Sequence, residues 1–562
     1  MKTYIFTFLL IAAQLYSQDR ITGELFATRS EVIAQNGMVA SSHPLATQIG
    51  IDILKKGGNA IDAAIAVNAA LGLMEPTGCG IGGDLFAIVW DPKTKKLHGL
   101  NASGPSPQTL SLDFFLENNY EVIPYYGALS VSVPGAVAGW TALNDKFGTL
   151  TMDQILSPAI HYAENGFPLT ELIAYYMQRS VQRFIRADYP NIKETYMESN
   201  GGKLPSEGEI FKNPLLAQTY KTIAKKGKQG FYSGKVASAI AEEVLQQGGF
   251  LTTEDLSSYE VEWVDPVSIN YRGYDVWELP PNGQGIAALQ ILNILEGYDF
   301  SKIAFGSDEH IHLFTEAKKL AFEDRAKFYA DTSFSDVSIE ILLSESYADQ
   351  RRALIKEKAS MYSAGKISAG ETIYLTVADK DGHMVSLIQS NYFGMGSGVV
   401  PKGVGFMLQN RGALFSLDET HANVYAPGKR PFHTIIPAFV TKNGTPFLSF
   451  GVMGGDFQPQ GHSQIVMNII DFGMNVQEAG DAPRWDHKGS SSPRGNLATN
   501  NGKIRVEDGI PYKTIRQLMS RGHNVGFTLG EFGGYQAILW DEKNKVYRGA
   551  SESRKDGQVS GY

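Results

Sequence analysis

Thr372 is the residue whose placement suggests chemistry. The run Glu371-Thr372-Ile373-Tyr374-Leu375-Thr376-Val377-Ala378-Asp379-Lys380-Asp381-Gly382 reads as a buried strand that opens on a hydroxyl side chain and ends in a tight turn. Cutting the chain between Glu371 and Thr372 would free an α-amino group beside that hydroxyl. The hydroxyl then attacks a carbonyl while the amine, whose pKa is near ~8, takes its proton. Left uncut, Thr372 is an ordinary β-forming residue. A second run bears on the same chemistry. In Gly451-Val452-Met453-Gly454-Gly455-Asp456, the glycines let a backbone present two N–H groups to one point. Such donors stabilise the oxyanion of a tetrahedral intermediate, and losing one costs ~3 kcal/mol. The same glycines also suit a plain strand-to-helix turn.

Helix and strand signals alternate around these runs. Pro44 to Lys56 has a helical pattern that stops at Gly57-Gly58. Asn59 reads as the N-cap of a second helix toward Leu71, apolar nearly all round and therefore buried. Leu85 to Trp90 reads as a strand, and Val236 to Gln247 and His310 to Tyr329 as helices. Thr372 to Ala378 and His383 to Gln389 flank Asp379-Lys380-Asp381-Gly382 as a hairpin. Both of its strands are apolar on both faces, which predicts a sheet covered on each side, an α/β layered sandwich.

Composition narrows the classes. The chain has 562 residues, enough for several domains or one large two-part fold. An apolar share of 43% rules out a disordered chain. The net charge of -9 and the lack of a basic run argue against nucleic acid as a partner. Lys2, the apolar run Tyr4 to Leu15 and Ser17-Gln18 read as an export signal over residues 1–17, too short for a comfortable membrane span. The expectation is an exported protein, periplasmic or extracellular, free of the membrane once the signal is removed; an uncleaved anchor is the alternative. Cys79 is the lone cysteine, so no intramolecular disulfide forms.

Three other motifs are weaker. Gly78-Cys79-Gly80-Ile81-Gly82-Gly83 has dinucleotide-loop spacing but follows a helix and precedes a strand, the wrong order. It suits close backbone packing near the site instead. His310-Ile311-His312 lacks a third ligand at convincing spacing, so no metal and no cofactor are expected. Gly394-Met395-Gly396-Ser397-Gly398 places its serine one position late for a nucleophile elbow.

Further segments occur in a telling order: Gly57 to Val67, Gly80 to Phe86, the Thr372 strand, Gly428-Lys429-Arg430-Pro431, Gly451 to Gly455, Asp481-Ala482-Pro483-Arg484 and Gly549 to Tyr562. Together they resemble the γ-glutamyltransferase (glutathione hydrolase) family of N-terminal nucleophile hydrolases. The resemblance implies a four-layer αββα sandwich and autocatalytic cleavage between Glu371 and Thr372. It also implies a large fragment, 18–371, and a small fragment, 372–562, that stay associated. It places the oxyanion hole at Gly454 and Gly455.

Departures from the family pattern fall in the substrate pocket. The family's arginine for the substrate carboxylate is missing from Asn101-Ala102-Ser103-Gly104-Pro105-Ser106-Pro107. Its acid for the amino group is replaced at Leu414 within Ala413-Leu414-Phe415-Ser416. A paired-serine segment becomes His433-Thr434-Ile435-Ile436-Pro437, and Ile373 follows the nucleophile in place of threonine. Arg411, His433, Thr434 and Ser103 become the candidate substrate-binding residues, with a structural ion pair as the alternative for Arg411. The resemblance implies a γ-glutamyl amide such as glutathione as donor, and water or an amine as acceptor. The alternatives are an amidohydrolase or acylase of the same family acting on another small acyl amide, for example of oxamate type, and an unprocessed, non-catalytic binding protein.

Overall fold

A computed structural model describes residues 21–335, 338–362 and 371–562, with Glu371 and Thr372 described by their backbone. The export signal and most of the loop before the proposed cut, residues 363–370, lie outside the described residues. Two seven-stranded sheets form the centre. One runs, edge to edge, through Gln558–Gly561, Met38–Ser41, Glu371–Ala378, Met384–Tyr392, Asp84–Asp91, Lys96–Ala102 and Glu262–Val264. The other runs through Val32–Ala34, Val546–Ser551, Tyr535–Asp541, Thr445–Val452, Ala438–Lys442, Tyr274–Glu278 and Val267–Tyr271. Their named pairings are antiparallel.

Three apolar cores separate four layers. Phe86, Ile88, Tyr374 and Ile388 from one sheet meet Phe439, Met453 and Ile538 from the other. Pro44–Lys55, Ala60–Met74 and Ala136–Phe147 cover the first sheet. Gly285–Leu295, Asp308–Phe328 and Gln458–Ile470 cover the second. This is the αββα sandwich. Every strand of the expected hairpin is buried on both faces because each sheet has helices on one side and the other sheet on the other.

Local signals were followed closely. Ala60–Met74 is buried at every position, and Asn59 and Asp62 make the reciprocal capping bonds that start it. The glycine-rich turn precedes the strand Asp84–Asp91. A Cβ at Gly82 would lie 2.1 Å from the Met407 carbonyl oxygen, and one at Gly83 would lie 2.4 Å from that of Ser390. Glycine is therefore required by close backbone approach, not by a phosphate. Cys79 is buried in this turn, and burial, with Glu75 second, holds its thiol well above its ordinary range.

Both sheets interleave strands from before and after the Glu371–Thr372 bond. Fragments cut there would share both sheets. Among the described residues, no helix is long and apolar enough to cross a membrane.

Candidate active site

The strand Glu371–Ala378 lies between Met38–Ser41 and Met384–Tyr392. Glu371 pairs with Tyr392 and Ile373 with Gln389, so an irregularity falls at Thr372. Beyond it the strand is tied both across the sandwich and within its own sheet. Thr376 Oγ1 and Ser449 Oγ are 2.7 Å apart, and Tyr374 OH and Ser386 Oγ are 2.8 Å apart. A Cβ at Gly451 would sit 2.5 Å from the Tyr374 ring, so only glycine lets the strand Thr445–Val452 come this close. That strand leads directly into the Gly454–Gly455 loop.

The loop geometry suits glycine. Gly454 has φ +118° and Gly455 φ +56°, where a side chain would be strained. The Gly454 carbonyl accepts from Phe457 N at 3.0 Å, opening the short turn Gly455–Phe457 and then the helix Gln458–Ile470. The Gly455 N–H is trans to that carbonyl across the same peptide, so it points away from the turn. Below the loop, His462 Nε2 accepts from Val452 N at 3.1 Å, and its Nδ1 donates to Glu278 Oε1 at 2.7 Å. Burial lowers the His462 pKa to about 3, so the imidazole is neutral and holds this orientation.

Arg411 opens a short turn, Arg411–Leu414, and is fully buried. Its guanidinium lies 4.4 Å from the ring centre of Tyr392, the register partner of Glu371. Nη1 donates to Thr434 Oγ1 at 2.6 Å. Nε and Nη2 have no partner among the described residues. Those two nitrogens share one edge of the planar group, the edge that grips a carboxylate with two parallel hydrogen bonds. Burial lowers the Arg411 pKa to about 10, opposed by Asp84, Tyr392 and Asp456, so the group remains charged at neutral pH.

The other candidates are committed to protein partners. His433 Nε2 donates to Asp84 Oδ2 at 3.0 Å, and its Nδ1 accepts from Ile435 N at 3.3 Å. Burial, then the charge of Arg411, holds the His433 pKa well below its ordinary value. Ser103 Oγ donates to Asn101 Oδ1 at 2.7 Å, and Asn282 joins Ser103 to the His433 backbone. Leu414 packs into the apolar core, so no acid stands there. The structure thus brings Arg411, Thr434, His433 and Ser103 into one connected network. Of these four, Arg411 is the one with donors unpaired among the described residues.

Sequence reasoning missed four members of this network. Asp84 Oδ1 accepts from Gly104 N, Gly135 N and Gln409 Nε2. Burial nevertheless raises its pKa to about 7, against the lowering effect of Arg411. Gln284 donates to the Thr434 carbonyl at 2.7 Å and to the Gly455 carbonyl at 2.8 Å. Arg325 donates to Gln284 Oε1 and, at 3.2 Å, to Asp456 Oδ1. Asp456 Oδ2 has no partner among the described residues. The glycines of Gly80 to Phe86 and Gly451 to Asp456 were the signal for two of the four; Gln284 and Arg325 carried none.

The histidine pair also gains neighbours. His312, Glu316 and His523 bring ligand-type atoms within 4.8 Å of one another, so the expectation that His312 lacks further ligands is corrected. Their atoms are already engaged. His312 Nδ1 and His523 Nε2 share a hydrogen bond at 2.8 Å, and Lys319 pairs with Glu316 at 2.6 Å. His310 is separate, buried against Phe300, Phe305, Phe472 and Trp485.

Comparison with known proteins agrees with this geometry. A family model described as gamma-glutamyltranspeptidase matches residues 46–562. A glutathione hydrolase-like YwrD proenzyme of Bacillus subtilis (strain 168) is 38% identical, over 94% of this chain and 99% of the relative. An oxamate amidohydrolase proenzyme of Klebsiella pneumoniae is 32% identical, over 95% of this chain and 100% of the relative. The crystal structure of a cephalosporin acylase from Bacillus halodurans superposes with a TM-score of 0.87 at 45% identity, over 97% of this chain and 98% of that one. The chain belongs to the γ-glutamyltranspeptidase family, whose members are amide hydrolases and acyltransferases.

Proposed function

We propose that the protein is an exported, self-processing amide hydrolase and acyltransferase whose acyl donors carry a free carboxylate. The unpartnered Nε–Nη2 edge of Arg411 carries this reading. A buried guanidinium with two idle donors costs several kcal/mol unless a ligand takes them, roughly 1–3 kcal/mol per unsatisfied group. A substrate carboxylate seated there would place its amide toward the start of the strand Glu371–Ala378, because Arg411 stacks on the residue paired with Glu371.

The chemistry follows from that placement. After cleavage of the Glu371–Thr372 bond, the Thr372 hydroxyl attacks the amide carbonyl and its α-amine takes the proton. The Gly454 and Gly455 N–H groups hold the oxyanion. The amine returns the proton to the leaving nitrogen, and the C–N bond breaks. Water or an acceptor amine then opens the threonyl ester. Fragments 18–371 and 372–562 remain bound through the shared sheets. His433 and Ser103, whose polar atoms face protein, shape the pocket. The word proenzyme in the relatives' names supports the cleavage.

Two anilides differing by one amino group test the donor. Glutaryl anilide carries the carboxylate; γ-glutamyl anilide adds an α-amino group. The expectation is that the glutaryl compound is turned over at least as well. A γ-glutamyl preference above about tenfold would sink the reading, since that is ~1.4 kcal/mol of amine recognition. A second reading keeps γ-glutamyl donors, and the free Asp456 Oδ2 supports it as a partner for an ammonium. It predicts that Asp456→Asn abolishes that preference. Denaturing electrophoresis with Edman sequencing checks the cut: the small fragment should begin at Thr372.

A further inference from the structure

We propose that Gln284 is a positioning residue that fixes the oxyanion loop relative to the acyl anchor. This rests on the acyl-transfer reading above. Gln284 is fully buried and caps the helix Gly285–Leu295 without using its side chain for the cap. Its carboxamide is instead fully engaged. The two N–H donors go to carbonyls on different segments, Thr434 at 2.7 Å and Gly455 at 2.8 Å. The oxygen accepts from Arg325. The amide orientation is forced, since reversing it would set oxygen against two carbonyls and nitrogen against a cation.

Each contact constrains a different part of the site. Thr434 is the residue that holds Arg411 Nη1. Gly455 lies in the loop whose peptides would face the oxyanion. With Gly454 O fixed by Phe457 N and Gly455 O fixed by Gln284, both peptide planes around Gly455 are set. Arg325 then closes a ring, because it also binds Asp456, the residue after Gly455. Without Gln284 the Thr434 and Gly455 carbonyls would lose the side chain that bridges them, leaving the Ile436 N to Gln458 Oε1 bond at 3.0 Å between the two segments. The two ends of a bound acyl group would no longer be held at one separation. Rate depends on that separation more than binding does, because a displaced oxyanion donor acts in the transition state.

Gln284→Glu separates this role from a structural one. The glutamate keeps the acceptor for Arg325 and adds an ion pair, but it turns an oxygen toward two carbonyls. A residue that merely seats Arg325 would tolerate this change, with kcat unaltered. Positioning predicts a kcat at least tenfold lower on glutaryl anilide and a smaller change in KM, read on protein that keeps a cooperative melting transition. A fall in kcat of less than tenfold overturns the proposal, as does a loss that lies mainly in KM. If Gln284→Glu does not fold, Gln284→Met is read by the same criteria. Thr372→Ala runs alongside. Turnover surviving in Thr372→Ala sinks the acyl-transfer reading itself, whereas an inactive Thr372→Ala with a fully active Gln284→Glu sinks only the role of Gln284.

Discussion

Two buried polar clusters lie in the layers around the second sheet, and they differ in one respect. Around Glu316, the polar atoms satisfy one another. Glu316 accepts from Lys319 at 2.6 Å, from Ser360 N at 3.1 Å and from Tyr362 OH at 3.0 Å. His312 bonds His523 on one side and the Lys356 carbonyl on the other. Around Arg411, a guanidinium edge, Asp456 Oδ2 and the Tyr392 hydroxyl have no partner among the described residues. Buried polar groups are nearly always paired, so the second cluster keeps a cost that the first has eliminated. A folded protein retains such a cost where a ligand relieves it. By this criterion we assign the Glu316 cluster to holding the chain before the proposed cleavage point, and the Arg411 cluster to the proposed substrate site.

Removing one charge from each cluster should separate the two roles. Glu316→Gln leaves Lys319 buried without its counter-ion, and breaking such a pair costs roughly 3–5 kcal/mol of stability. Denaturant unfolding of the cleaved protein measures it. The kcat/KM of that protein should stay near the parent value. A large fall in kcat/KM with unchanged unfolding would reverse the assignment of the two clusters.

Arg411→Met should behave in the opposite way. It removes a charge that has one hydrogen bond and no carboxylate partner among the described residues, so stability should hold or rise. On glutaryl anilide, kcat/KM should drop about 100-fold, or ~2.7 kcal/mol. An anilide lacking the carboxylate should lose almost nothing. Equal losses on both substrates would mean that Arg411 supports the loop rather than the donor.

Much of the architecture could be read from the sequence because its signals were local. The Asn59–Asp62 cap, the Asp379 to Gly382 turn and the two-sided apolar strands each depend on neighbours a few residues away. The glycines of Gly80 to Gly83 also announced close packing correctly. Site chemistry was less legible because its contacts are remote. His433 and Asp84 are 349 residues apart in sequence, and His312 and His523 are 211 apart. No spacing rule reports that His433 is already spoken for, or that Gln284 spans two loops. Arg411 was identified by the loss of the family's usual charged residues, a substitution argument, and what the sequence could not supply was which edge of it stays free.

Asp84 gives the smallest effect and the finest test. Its pKa of about 7 in the folded protein lies above the unfolded value near ~3.9, so the folded state binds the extra proton. Its contribution to stability is therefore full below about pH 4 and is lost as pH rises through about 7. The same ionisation places a negative charge where Arg411 feels it. A substrate carboxylate then competes with Asp84 for one guanidinium, so KM for glutaryl anilide should rise across pH 7, by up to about tenfold. In the proposed mechanism the general base is an α-amine freed at Thr372, a group with an ordinary value near ~8 that would act on kcat, so the two steps would be separable. Asp84→Asn keeps the side-chain volume but cannot ionise, and its amide nitrogen faces His433 Nε2 where an acceptor stood; it should flatten the KM profile and leave the kcat profile in place. A KM that rises identically in Asp84→Asn would mean that Arg411 meets its substrate without interference from Asp84, and the charge on Arg411 would then be balanced by the ligand alone.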